Sequence, residues 1–260
     1  MGSRTSHRPG TFSWVDLSSA DQEGAKRFYG GLFGWEAEDN PVSEDAVYSM
    51  MRSGGEFAAA ISPQPQQQRD NGVPPMWNSY ITVESADQAL ERARTLGANV
   101  HAPAFDVFDA GRMGVIQDPQ GGFFCVWEPR AHIGAGIVNA PGALSWNELV
   151  TPDLEASAEF YGGLFGWSTR PLEGSEMPYW IIQRPDGGTN GGMRAATPTE
   201  PCYWLVYFGC EDVPSTLARV TELGGNPMMD PMDIGAGVIA PAVFDPEGAV
   251  FALYSGRFDD

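Results

Sequence analysis

The chain has 260 residues, enough for two domains of ordinary size, each able to bury its own core. At 42% apolar and 12% aromatic its composition is globular, and no apolar run reaches the ~20 residues of a membrane-spanning helix. The net charge of −19 argues against nucleic acid, whose phosphates call for basic patches. It suits either plain solubility or the attraction of a cationic small molecule.

The opening MGSRTSHRPG is polar and lacks the hydrophobic middle of a secretory signal, so residues 1–10 read as a flexible tail. FSWVDL then reads as a strand, and Asp21 starts a helix. Ala25, Phe28, Tyr29, Leu32 and Phe33 form one apolar stripe at helical spacing, and Gly34 stops the helix. AVYSMMRS and EFAAAISP are short strands, followed by the Pro/Gln-rich loop QPQQQRDNGVPP. A second module carries strand NSYITVE, helix ADQALERARTLG and strands that end in MGVIQDPQGGFFCVWEP.

The pattern then repeats. FYGGLFGW begins at Phe28 and again at Phe160, and DPQG at Asp118 returns as DPEG at Asp245. Two homologous halves follow, 11–129 and 142–257, joined by a Pro/Gly-containing linker over 130–141. The long loop of the first half has only the shorter RAATPTEP as its counterpart, so the gap between the halves should fall there. Each half divides into two βαβββ modules, an α+β chain of four modules. Cys125, Cys202 and Cys210 lack metal-knuckle spacing and read as reduced thiols, which suits the cytoplasm.

Paired βαβββ modules, with D-x₆-F-Y-x₃-[LF]-G-W after the first strand and D-P-x-G before the last, resemble the vicinal oxygen chelate superfamily, which includes glyoxalase I, extradiol dioxygenases and bleomycin-resistance proteins. The openings WVDL and WNEL and the stretch DAGRM are similar to the tandem glyoxalase-like proteins of actinobacteria, some associated with anthracycline biosynthesis. The resemblance implies two tandem glyoxalase-like domains, each an open curled mixed sheet with flanking helices, and a ligand inside the cup.

Metal-using members take ligands from the first and last strands of each module. Those positions hold Trp14, Asn78 and Cys125 in the first half and Trp146, Leu205 and Ala252 in the second. Indole and alkyl groups ligate no metal, and His7, His101 and His132 lie elsewhere, so no metal and no other cofactor is expected. Strand alternation then turns Trp14 and Asp16 inward, with Asn78, Tyr80, Thr82, Cys125 and Trp127. In the second half it turns Trp146 and Glu148 inward, with Leu205, Tyr207, Ala252 and Tyr254. The tryptophans either plug the cups as core or wall a ligand site. An acid on the apolar side of a strand needs a partner, a ligand group or a buried Arg or Tyr, for which Arg112 and Tyr80 are the first-half candidates. Cys125 reads as a small buried hydrophobe or a nucleophile.

The expectation is a metal-independent protein, monomer or homodimer, that holds an aromatic polyketide-type metabolite in one or both cups. The net charge and the two acids favour a cationic ligand. Sequestration would give self-resistance or relieve product inhibition of a partner oxygenase. The rival is a cofactor-free isomerase, lyase or hydroxylase-like enzyme with Glu148 or Asp16 as general base. A purely structural interaction protein is the third reading.

Overall fold

The computed structural model describes residues 2–44, 46–175 and 177–258. The first half runs β1 (Phe12–Ser19), α1 (Gln22–Phe33), β2 (Glu36–Pro41), β3 (Val47–Ser53), β4 (Glu56–Pro63), a short α2 (Gln66–Asp70), β5 (Met76–Thr82), α3 (Ala86–Thr95), β6 (Asn99–Val100), β7 (Phe105–Val107), β8 (Gly111–Gln117) and β9 (Phe123–Pro129). The second half runs β10 (Leu144–Thr151), α4 (Leu154–Phe165), β11 (Ser168–Pro171), β12 (Tyr179–Gln183), β13 (Thr189–Ala195), β14 (Tyr203–Gly209), α5 (Val213–Glu222), β15 (Asn226–Pro227), β16 (Met232–Asp233), β17 (Gly237–Phe244) and β18 (Val250–Gly256). The two lists match element for element except for α2, which sits in the Pro/Gln-rich loop where the gap was expected.

The helix signals act as the sequence suggests. Asp21 and Asp153 cap α1 and α4 by accepting from the backbone N–H of Gly24 and Ala156, each at 2.9 Å. Gly34 and Gly166 end them in the left-handed region, φ 70° and 73°, where a side chain would be strained.

Each half builds one mixed sheet, in the order β2-β3-β4-β1-β5-β9-β8-β6 and β11-β12-β13-β10-β14-β18-β17-β15, with β7 and β16 added at β8 and β17. Adjacent modules of the same half therefore pair, joined by the antiparallel contact of β1 with β5 and of β10 with β14.

The outer faces of the two sheets share their core, where the sequence suggested one core for each half. Tyr29 of α1 donates to Asp245 of the second DPxG turn at 3.1 Å, and Tyr161 of α4 donates to Asp118 of the first at 2.7 Å. Both phenols accept from a buried indole, Trp77 at 3.0 Å and Trp204 at 2.9 Å. Trp35 packs edge-on to Phe208, and Trp167 tilts against Phe12. Ser79 donates to Asn147 at 2.7 Å across the same buried seam. The two repeated motifs thus clasp each other reciprocally, which accounts for the FY and the DPxG in both copies.

Residues 2–10 of the expected flexible tail 1–10 are held instead, and residue 1 lies outside the described residues. Ser3 bridges Ile137, the backbone of Arg4 donates to Gly136, and Gly10 accepts from the Trp167 indole. The cause is the linker, which runs back along the first sheet and offers unpaired backbone groups to the tail. Ala135 donates to the carbonyl of Ser13 and Gly136 to that of Phe57.

Candidate functional site

Alternation places Trp14 and Asp16 on the inner face of β1, and register carries that face across the sheet. Trp14 pairs with Tyr80, Asp16 with Asn78, Tyr80 with Cys125, and Thr82 with Trp127. Asp16 is 4% exposed and accepts three hydrogen bonds: Asn78 Nδ2 at 2.8 Å, Tyr80 hydroxyl at 2.8 Å and Tyr48 hydroxyl at 3.1 Å. The Trp14 indole donates to Tyr48 at 3.0 Å. Burial pushes the Asp16 carboxyl above its ordinary range, and the three donors pull it part of the way back.

The second half repeats this device. Trp146 pairs with Tyr207 and Glu148 with Leu205. The Trp146 indole donates to Tyr179 at 2.9 Å, Tyr207 donates to Glu148 Oε2 at 3.1 Å, and the Tyr179 phenol stands near enough to favour the Glu148 carboxylate. Leu205, standing where Asn78 stands in the first half, cannot donate. Arg194 replaces the amide, with Nε 3.1 Å from Glu148 Oε1. Its Nη1 and Nη2 are gripped by Glu200 at 3.0 and 2.7 Å. Glu200, its side chain 27% exposed, is held down to about 2 by this guanidinium. Glu148 is still pushed above its usual range, because burial outweighs a cation that Glu200 shares.

The Trp-x-acid pairs thus bring their own tyrosines. Tyr80 is the predicted partner of Asp16; Arg112 is not. It lies on the opposite face of β8 and pairs with Asp87 and Asp106 at 2.8 and 3.0 Å. Tyr48, Tyr179, Arg194 and Gly192 were not anticipated. Gly192 matters because a Cβ there would collide with the Tyr179 hydroxyl, so glycine lets the phenol cross β13 to reach Trp146 and Glu148. Tyr48 and Tyr179 hold equivalent places in the two copies, a signal available to a full alignment of the repeat.

The cups differ in access. In the first, Trp14, Asp16, Tyr80, Cys125 and Trp127 are all buried, and the linker lies over them. His132, a residue of that linker, is drawn in with it. Its ring stands edge-on to Trp14 at 4.7 Å and packs near Trp127 at 5.9 Å and Phe57 at 6.0 Å. Its Nε2 is buried with no hydrogen-bond partner among the described residues, and burial lowers its pKa to about 4. The Trp127 indole donates to the His132 carbonyl at 2.9 Å, fastening the strap. Asp16 lies beneath this lid with its oxygens held by protein donors, and burial pushes the Cys125 thiol far up.

In the second cup the floor of Leu205, Tyr207 and Ala252 is buried, while Trp146, Tyr203, Ile239 and Tyr254 around it stay half-exposed. Tyr254 is tethered through its hydroxyl to the carbonyls of Arg257 at 2.8 Å and Ala236 at 3.2 Å. Two surface grooves, about 560 Å³ beside α3 and α4 and about 470 Å³ beside α5, lie away from both cups. The first is lined mostly by exposed polar helix residues, so the convergent aromatic and ionisable groups, not groove volume, locate the candidate site.

Residues 11–126 match the model of the glyoxalase/bleomycin resistance protein/dioxygenase superfamily, and residues 147–254 that of the glyoxalase-like domain. The chain is 39% identical over 255 residues to the putative glyoxylase CFP32 of Mycobacterium tuberculosis, covering 97% of each. The chain belongs to this superfamily. It is also 34% identical over 270 residues to the anthracycline biosynthesis protein DnrV of Streptomyces peucetius, covering 97% of this chain and 96% of that one. Among solved structures, the Mn(II)-bound glyoxalase of Novosphingobium aromaticivorans superposes with a TM-score of 0.66 at 16% identity, covering 97% of this chain and 85% of that one. The 2,2',3-trihydroxybiphenyl 1,2-dioxygenase of Sphingomonas wittichii superposes with a TM-score of 0.65 at 13% identity, covering 96% and 92%. At those identities the likeness is one of fold.

The glyoxalase-like fold raises the question of a metal, and this chain's donors do not fit one. The inward corners present indoles, a leucine, an alanine, an amide committed to Asp16 and a thiol held protonated by burial. Both acids have their oxygens engaged by protein donors. Among the described residues no three His, Cys, Asp or Glu side chains converge as a metal site. Among them, too, no helix is long and apolar enough to cross a membrane.

Proposed function

We propose that this protein is a metal-independent binding protein that holds a flat aromatic, polyketide-type metabolite in its second cup, in support of biosynthesis or in sequestration. The observation that carries the reading is the contrast between two copies of one device. The first is filled by its own linker, and the second leaves Trp146, Tyr203 and Tyr254 only partly buried around an apolar floor with an ion pair at its edge. Aromatic walls of this kind stack a planar ring, each contact worth about 0.5–1.5 kcal/mol beyond area burial. The kinship with an anthracycline biosynthesis protein supports the choice of ligand class. Because Arg194 and Tyr207 occupy the Glu148 oxygens, preference for a cationic ligand comes chiefly from the −19 surface and weakens with salt.

The test is titration with a cationic anthracycline and with its neutral aglycone, read by tryptophan quenching at low and high salt. Both should bind, only the cationic one with salt-dependent affinity, and Trp146→Ala should weaken both. Dialysis against a chelator should leave binding unchanged. No quenching by either ligand would overturn the proposal. The enzymatic reading rests on Glu148, buried beside two phenols and raised in pKa as a general base would be. A ligand whose mass changes on incubation, and does not with Glu148→Gln, would establish it in place of simple binding.

A further inference from the structure

Ile239 and Tyr254 rim the second cup, and the short strand beyond Ile239 carries exposed apolar side chains. Met232 pairs with Ile239, and Ile239 with Tyr254. Directly paired residues share a sheet face, and Ile239 and Tyr254 pack on the Leu205–Tyr207–Ala252 floor. Met232 therefore continues that face beyond Ile239, and Ile234 is the next residue of the same parity. Both are unusually bare for their type, 43% and 51% exposed.

The first half shows the same hairpin with its cup filled. There Phe105 pairs with Met113, and Met113 with Trp127. Val107, in the place of Ile234, packs with Met113 against the core that holds Trp14 and Trp127. The ring in the mouth of that cup is the imidazole of His132, edge-on to Trp14. In this filled cup Val107 turns inward onto the core, while Phe105, in the place of Met232, stays 45% exposed.

We propose that Met232 and Ile234 are ligand-contacting residues, closing the second cup over a planar aromatic guest as Val107 does over the filled first cup. The inference rests on the binding function proposed above. Methionine suits the role, because a flexible thioether adapts to a ring edge that aromatic walls alone leave open.

Met228 and Met229, 61% and 49% exposed, provide the control. They line the groove with Pro214, Leu217 and Pro231 beside α5, not the cup. The experiment compares Met232→Ser/Ile234→Ser with Met228→Ser/Met229→Ser, using the neutral anthracycline aglycone so that charge plays no part. All four positions are exposed, so both proteins should melt close to the wild type. The wall variant should raise the Kd about tenfold, mostly through faster dissociation, and the control should bind as the wild type does. Equal affinity in the wall variant, with binding still lost in Trp146→Ala, would overturn the wall while leaving the cup. Equal loss in both double variants would overturn it as well. A wild type that binds no aglycone would remove the cup, and the wall with it.

Discussion

Replacing Arg194 by methionine tests how the second cup tolerates a buried acid. The guanidinium side chain is 19% exposed, that of Glu148 only 5%, and their closest atoms are 3.1 Å apart. Removing one partner of a buried pair costs about 3–5 kcal/mol, because the remaining charge is stranded. Here the lower end applies: Tyr207 still donates to Glu148, and Arg194 is partly solvated. About 3 kcal/mol is expected at pH 8. The sign of the pH dependence follows from the direction of the shift. The folded-state pKa of Glu148 is already raised, and loss of Arg194 raises it further. Such a group contributes stability that is fully present below the ordinary carboxylate pKa of ~4.3 and is lost as pH rises through the folded value. The cost of Arg194→Met should therefore shrink to about 1 kcal/mol at pH 4.5. Urea unfolding of variant and wild type at both pH values gives the difference, and the comparison at equal pH cancels other titrating groups. Adding Glu148→Gln should restore most of the loss at pH 8. A penalty equal at the two pH values, or one that Glu148→Gln deepens, would refute the electrostatic account.

Three further outcomes follow from the same geometry. Tyr29→Phe and Tyr161→Phe each strand a buried indole N–H and remove a donor from a buried aspartate, so each should cost about 1–3 kcal/mol by urea unfolding; the pair should be additive, since they share no partner. His132, depressed from 6.5 to about 4, contributes stability present above pH 6.5 and lost as pH falls through about 4; its NMR titration should show that low midpoint, and one near 6.5 would mean the strap is open. Gly192→Ala should displace the Tyr179 hydroxyl and weaken aglycone binding several-fold while leaving the first cup intact, so unchanged affinity would show that Tyr179 does not shape the site.

The repeat was legible because its signals are local: Asp21 and Gly34 bracket a five-residue apolar stripe, and the same letters return from Phe160. Trp14 with Asp16, and Trp146 with Glu148, were legible because strand parity fixes residues two apart. Tyr48 and Arg194 were not, because they reach the acids from strands whose register is set by the sheet and not by neighbouring letters. Nor was the path of the linker. Its Pro and Gly content predicts a connector, but only tertiary hydrogen bonds from Ala135 and Gly136 to β1 and β4 lay it across the cup and carry His132 inside.

The differences between the cups form one consistent set. Where Asn78 satisfies Asp16 from within the cup, the acid is balanced by neutral donors and the space above it can be closed over. Leu205 removes that donor, and the compensation moves to Arg194, two residues beyond Gly192 on β13. A guanidinium there needs its own anion, which Glu200 supplies from the loop before β14. The ion pair thus sits at one side of the floor and leaves apolar Leu205 and Ala252 at its centre, where the first half has an amide and a thiol. The same few substitutions move the polar groups of the second cup to its edge and leave a greasy floor beneath half-exposed rings, which is the chemistry a planar aromatic guest requires.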